Sequence, residues 1–132
     1  MKRAIAAILF CLLATMPASA EKIVIWKYHT RESFDKAYDS TIRAISLARF
    51  VVRSNDKQQG TIHANLMCWG GIGGEYGAVL IIVRKEQEGA YIEATFTKHG
   101  GGIGTGPQRW ANDLAKGLKE ELPDITIEIE KP

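Results

Sequence analysis

The sequence predicts an α+β domain in which an antiparallel β-sheet carries two helices on one face, in the order β-α-β-β-β-β-α-β. Three observations carry that expectation. Residues 61–69 and 90–99 alternate apolar and polar side chains, the period-two pattern of half-buried strands. Residues 33–50 and 107–122 repeat apolar side chains at helical spacing. The strand runs are joined by short turns, which suit antiparallel neighbours, whereas parallel strands need long crossovers.

Each element has its own signal. KIVIWKY, 22–28, is β-branched and aromatic and reads as the first strand. Thr30 to Ser33 offers helix N-caps. Beyond them Phe34, Ala37, Tyr38, Thr41, Ile45 and Ala48 form one stripe of a helix. Asp39 and Arg43, four apart on the other side, are placed to pair. FVVRS, 50–54, reads as a strand and NDKQQG, 55–60, as a turn in which Gly60 takes positive φ. In TIHANLMCW, Ile62, Ala64, Leu66 and Cys68 share the core side, while His63, Asn65, Met67 and Trp69 point away. After GGIGGE, 70–75, comes the most apolar strand, YGAVLIIVRK, 76–85. EQEG, 86–89, makes a tight loop to AYIEATFTKH, 90–99, whose Ile92, Ala94 and Phe96 face inward. An even loop puts Val79, Ile81 and Val83 on that inward face and leaves Tyr76, Ala78, Leu80 and Ile82 outside; an odd loop reverses the assignment. Pro107 suits the first position of the second helix, along which Trp110, Leu114, Leu118 and Leu122 recur. Pro123-Asp124 ends that helix, and ITIEIE, 125–130, is the last strand.

The first twenty residues read as a leader rather than as part of the domain. Lys2 and Arg3 form a basic start, residues 4–13 an apolar run, and Ala18-Ser19-Ala20 a small-x-small cleavage site. The run is short for a permanent membrane anchor, and Phe10 before Cys11 does not fit a lipid-attachment site. The expectation is a signal peptide, 1–20, removed after Ala20, and a single α+β domain, 21–132, in the periplasm or secreted, with no transmembrane segment. The chain's formal net charge of +2 then falls close to zero, which argues against a nucleic-acid partner. Cys11 leaves with the leader. Cys68 stays alone, without an intramolecular disulfide partner, and reads as a small apolar core residue.

The stretch SFDKAYDSTIRAI followed by VVRSNDKQQGTIHA, about residues 33–64, has a form of its own. A helix with Ala37 and Ala44 leads to a strand, a polar turn and then Gly60-Thr61-Ile62-His63-Ala64. This resembles small bacterial envelope proteins, many of them lipoproteins, and the BamC-like domains of the outer-membrane assembly machinery. The resemblance implies a helix-grip α+β fold and a place in the envelope. It implies no catalytic residue, and the chain differs in having one such domain and no lipid-attachment cysteine.

Two candidate sites follow from the residues. The outward side chains Met67, Trp69, Tyr76, Leu80 and Ile82, flanked by Thr95 and Thr97, would form an apolar sheet face rich in residue types that interfaces favour. The partner expected there is another envelope protein or a second copy of the chain. The contrasting site is HGGGIGTGPQRW, 99–110. Its glycines precede a helix, where backbone N–H groups can gather around an anion, and Gly101, Gly102, Gly104, Thr105 and Arg109 would form the loop. The P-loop lysine is absent, no dinucleotide fingerprint fits, and Pro107 removes a donor. The two glycine stretches should leave the sheet at the same end, as paired flaps that bind the partner together with the outer sheet face. His29, His63 and His99 show no metal-ligand spacing, and no nucleophile is set beside a base, so no metal, cofactor or catalytic residue is expected.

Overall fold

The computed structural model describes residues 22–67, 75–99 and 106–130. Their elements are β1 (Lys22–Thr30), α1 (Phe34–Leu47), β2 (Val51–Asp56), β3 (Thr61–Met67), β4 (Glu75–Glu86), β5 (Gly89–Lys98), α2 (Pro107–Glu121) and β6 (Thr126–Glu130). The order is the one the sequence predicts. All six strands form one antiparallel sheet, ordered β2-β3-β4-β5-β1-β6. β2 to β5 make a meander; β1 joins its far side and β6 lies outside β1. The strand between β5 and β6 thus comes from the opposite end of the chain.

Alternation decides the core. Gln87 and Glu88 form a two-residue turn, and Glu86 pairs with Gly89. That even connection brings Val79, Ile81 and Val83 opposite Phe96, Ala94 and Ile92, all buried. On the same face β3 contributes Ile62 and Ala64, and β1 contributes Trp26 and Tyr28. Burying each of the larger of these side chains is worth about 1.5–3 kcal/mol, so a one-residue slip of any central strand would lose several such terms at once.

Both helices cover that face. α1 starts where the Ser33 hydroxyl accepts from Lys36 N–H at 3.2 Å, satisfying one of the free donors of the first turn. It presents Ala37, Tyr38, Thr41, Ala44 and Ile45 to the core. It stops at Leu47, earlier than the spacing suggests, because Arg49 turns to φ 71° and Phe50 N–H returns to the Ile45 carbonyl at 3.2 Å. This is the closing pattern of a left-handed cap, here with arginine where glycine is usual. Phe50 then enters the core, its ring 5.8 Å from Trp110 and 6.1 Å from Phe96. α2 begins at Pro107 after Gly106, which makes no side-chain capping bond, and buries Trp110, Ala111, Leu114, Ala115 and Leu118.

Close helix contact comes from small residues: a side chain at Gly117 would stand 3.0 Å from the Ala44 Cβ. Beside this contact Arg43 pairs with Glu121 of α2 at 3.0 Å. The expected Asp39–Arg43 pair is not the one formed, because Asp39 instead accepts from Lys57 at 3.2 Å. Gly60 has φ 72°, as the turn reading requires, and its carbonyl accepts from Val83 N–H at 2.7 Å.

Candidate functional site

The face of the sheet turned away from both helices has no other described element packed over it. Its side chains can be read across the strands from the register. One row runs Val51, Asn65, Ala78, Thr97, Ile23; the next runs His63, Leu80, Thr95, Ile25; a third runs Thr61, Ile82, Glu93, Lys27, Glu128. Leu80, Ile82, Ile25, Thr95 and Thr97 are half-buried by their neighbours. At the two ends of the first row Val51 and Ile23 are 48% and 49% exposed. Ala78, Leu80 and Ile82 of β4 and Ile23 and Ile25 of β1 therefore form an apolar band divided by Thr95 and Thr97 of β5, with Asn65, His63, Glu93 and Lys27 at its borders.

A polar margin borders the band at the β4–β5 turn. His29 Nδ1 lies 3.0 Å from Glu86 Oε1, and its Nε2 lies 3.7 Å from Glu128 Oε2. The His29 and Tyr91 rings are 5.3 Å apart. Tyr91 donates its hydroxyl to Glu93 at 2.6 Å, the short distance of a charge-assisted bond. These groups are partnered with one another and fix the ends of four strands. Among the described residues no group of three or more His, Cys, Asp or Glu is placed to hold a metal.

Of the predicted surface residues, Leu80, Ile82, Thr95 and Thr97 stand together on this face. Met67 and Tyr76 have places in β3 and β4, and their side chains lie outside those described. Trp69 lies outside the described residues, as does Cys68. Sequence reasoning missed Ile23, Ile25 and Val51. The alternation of β1 separates Ile23 and Ile25 from Trp26 and Tyr28, but nothing local says that β1 adjoins β5.

Of the predicted anion loop, Gly101, Gly102, Gly104 and Thr105 lie outside the described residues. Arg109 is exposed in the first turn of α2. Leu66 and Lys98 both pair with Gly77, so the chain leaves β3 and β5 at the same end of the sheet, as expected.

The described residues also form one open groove of about 550 Å³ at the other end. It lies between the start of α1, the β2–β3 turn and the last residues of β4, and its lining includes Phe34, Asp35, Lys57 and Lys85.

The chain matches no known protein family and no curated protein. Among solved structures it is similar in fold to the crystal structure of Ara h 8.0201, with a TM-score of 0.54 at 10% identity over 77% of this chain and 92% of that one. Among the described residues no helix is long and apolar enough to cross a membrane.

Proposed function

We propose that this protein is an exported, non-enzymatic binding module of the bacterial envelope, which holds another protein against the outer face of its sheet. One observation carries the reading. The band formed by Ile23, Ala78, Leu80, Ile82 and Ile25, with Thr95 and Thr97, is left without a covering layer by the described elements. Contiguous exposed apolar surface costs solubility unless something is bound there, and threonines within it supply hydroxyls for directed hydrogen bonds. The signal-like residues 1–20 and the resemblance of residues 33–64 to envelope domains support the location.

The test uses a photo-crosslinking amino acid at Thr95, in the centre of the face, and at Lys119, on the exposed side of α2, in cells that make the protein. A discrete adduct is expected from Thr95 and none from Lys119, and Leu80→Ser with Ile82→Ser should abolish it. Mass analysis of the adduct separates a second copy from a different protein. Equal labelling from both positions, or no adduct from Thr95, sinks the proposal. Export is checked separately by sequencing the amino terminus of the cellular protein: Glu21 is expected, and Met1 would refute it.

A further inference from the structure

The apolar part of the outer sheet face lies at the end of the sheet where the chain enters it. Lys22, the first residue of β1, pairs with Lys98, and Lys98 also pairs with Gly77. Ile23, Ala78 and Thr97 form the next row, and Ile25, Leu80 and Thr95 the row after it. Towards the β4–β5 turn the same face becomes charged. Glu86, Glu93 and Glu128 stand there, with Glu88 in the adjoining turn, against the cations Lys27 and Arg84. His29 lies between Glu86 and Glu128. Along the strands the face thus runs from apolar to charged, with carboxylates in excess at the charged end.

Residues 1–20 join the domain at the apolar end and lie outside the described residues. Their sequence carries the complementary order. Lys2 and Arg3 are its only charged side chains, and an apolar run follows. At helical spacing Ile5, Ile8, Leu9, Leu12 and Met16 fall on one stripe, Ala7, Cys11 and Ala14 fall opposite, and Phe10 lies at the side. Large side chains on one side and small ones on the other suit packing against a surface; a segment surrounded by lipid needs no such division. Pro17 marks the end of the run, and residues 17–21 link it to β1. The lengths agree as well. A helix from Lys2 to Met16 covers about 21 Å, and β4 from Ala78 to Glu86 about 27 Å. With Met16 over the row of Ile23 and Ala78, Lys2 and Arg3 reach the level of the carboxylates.

We propose that, in the uncut chain, residues 4–16 form a helix over the outer sheet face, its large side chains on Ile23, Ile25, Ala78 and Leu80, with Lys2 and Arg3 beside Glu86, Glu93 and Glu128. The inference rests on the reading of this face as a binding surface and of residues 1–20 as a removable leader. The leader is then the first occupant of the face. Tethering gives it a high effective concentration there, which cutting after Ala20 removes. The face opens to its partner only once the leader is gone.

The experiment uses the whole chain, residues 1–132, made by cell-free synthesis with a photo-crosslinking amino acid at Thr95 and irradiated at high dilution. Thr95 should join a peptide within residues 4–16 at the mass of a single chain, whereas the same group at Lys119 should not. Ile8→Asp with Leu12→Asp, and separately Lys2→Glu with Arg3→Glu, should each lower the yield several-fold. The melting temperature of 1–132 should exceed that of 21–132, because the covering segment binds only the folded sheet. No internal adduct, an adduct of two chains, an undiminished yield in either double variant, or equal melting temperatures would overturn the proposal. Only the isolated chain is used, so each of these outcomes leaves the partner-binding reading to its own test in cells.

Discussion

The indole of Trp110 lies against the backbone of Gly77: its Cη2 and Cζ3 fill the space that a side chain at position 77 would need. Gly77 is also the residue with which both Leu66 and Lys98 pair. The contact thus seats the first turn of α2 over three adjacent strands. Gly77→Ala should cost about 2 kcal/mol, as overpacking does, seen as a lower urea midpoint at unchanged slope. With Trp110→Leu added, the combined loss should be smaller than the sum of the two single losses. Strict additivity would mean that the glycine is there for another reason.

Arg49 holds φ 71° in a region costly for side chains with a Cβ. Its backbone makes the helix-closing turn that glycine makes best. Arg49→Gly should therefore stabilise the protein by about 0.5–1 kcal/mol, measured by thermal or urea unfolding. A loss of stability would show that the arginine side chain contributes more than its backbone conformation costs.

Tyr28 is fully buried, and among the described residues its hydroxyl, like the Trp26 indole N–H, has no hydrogen-bond partner. Removing an unpaired polar atom relieves a desolvation penalty, so Tyr28→Phe should be neutral or stabilising by up to about 1 kcal/mol. Burial also pushes the phenol well above its ordinary pKa. In strong base the unfolded chain loses this proton before the folded one does. Stability is then held below about pH 10 and falls as the pH rises further, by up to about 1.4 kcal/mol per unit. Tyr28→Phe should make that fall shallower. An unchanged slope would place its origin elsewhere.

Asp124 ties the end of β1 to the turn before β6. It accepts from the Arg31 N–H and the Thr30 hydroxyl, each at 2.7 Å. These bonds, the Arg31 one first, hold its carboxyl below the usual carboxylate range. The stability they confer is present above about pH 4 and lost as the pH falls through the lowered value. On so exposed a group solvent screening keeps it below about 1 kcal/mol. Unfolding of Asp124→Asn followed from pH 7 to pH 2 should show a flatter acid limb than that of the unaltered protein; superimposable limbs would refute the assignment.

Leu80 and Ile81 are neighbours in the chain on opposite faces of the sheet. Leu80→Ser should change stability by less than about 1 kcal/mol, whereas Ile81→Ala should cost about 2–5 kcal/mol through the cavity it leaves. Chemical unfolding of the two variants measures the difference directly. Comparable losses would contradict the observed register.

Local chemistry made much of the fold legible. The alternation of 61–67 and 90–98, the turn at Gly60 and the proline at the start of α2 each act over a few residues and formed where those signals lay, whereas β2 runs on to Asp56, into the predicted turn, and α1 stops at Leu47. The loop at 86–89 left two registers open, and only the pairing of Glu86 with Gly89 decides between them. What the sequence could not show depends on distance along the chain. No short-range pattern puts β1 beside β5, so Ile23 and Ile25 could not be assigned to the same band as Leu80. Arg43 likewise had a suitable partner four residues away, yet Glu121 on the facing helix took that place once the helices met. The groove residues come from three separate segments, and no spacing within any one of them marks a site.

The position of β1 also orders events in time. Its partners in β5 and β6 are made long after it, and Ile25 pairs with Glu130 near the end of the chain. The meander from Val51 to Lys98 needs only near neighbours and can close first, since nearby contacts cost less loop entropy. The inner edge of β1 stays open until β5 has been made, and its outer edge until β6 follows. A nascent or truncated chain lacking β6 carries a β1 whose outer edge is unpaired, a ready template for another chain.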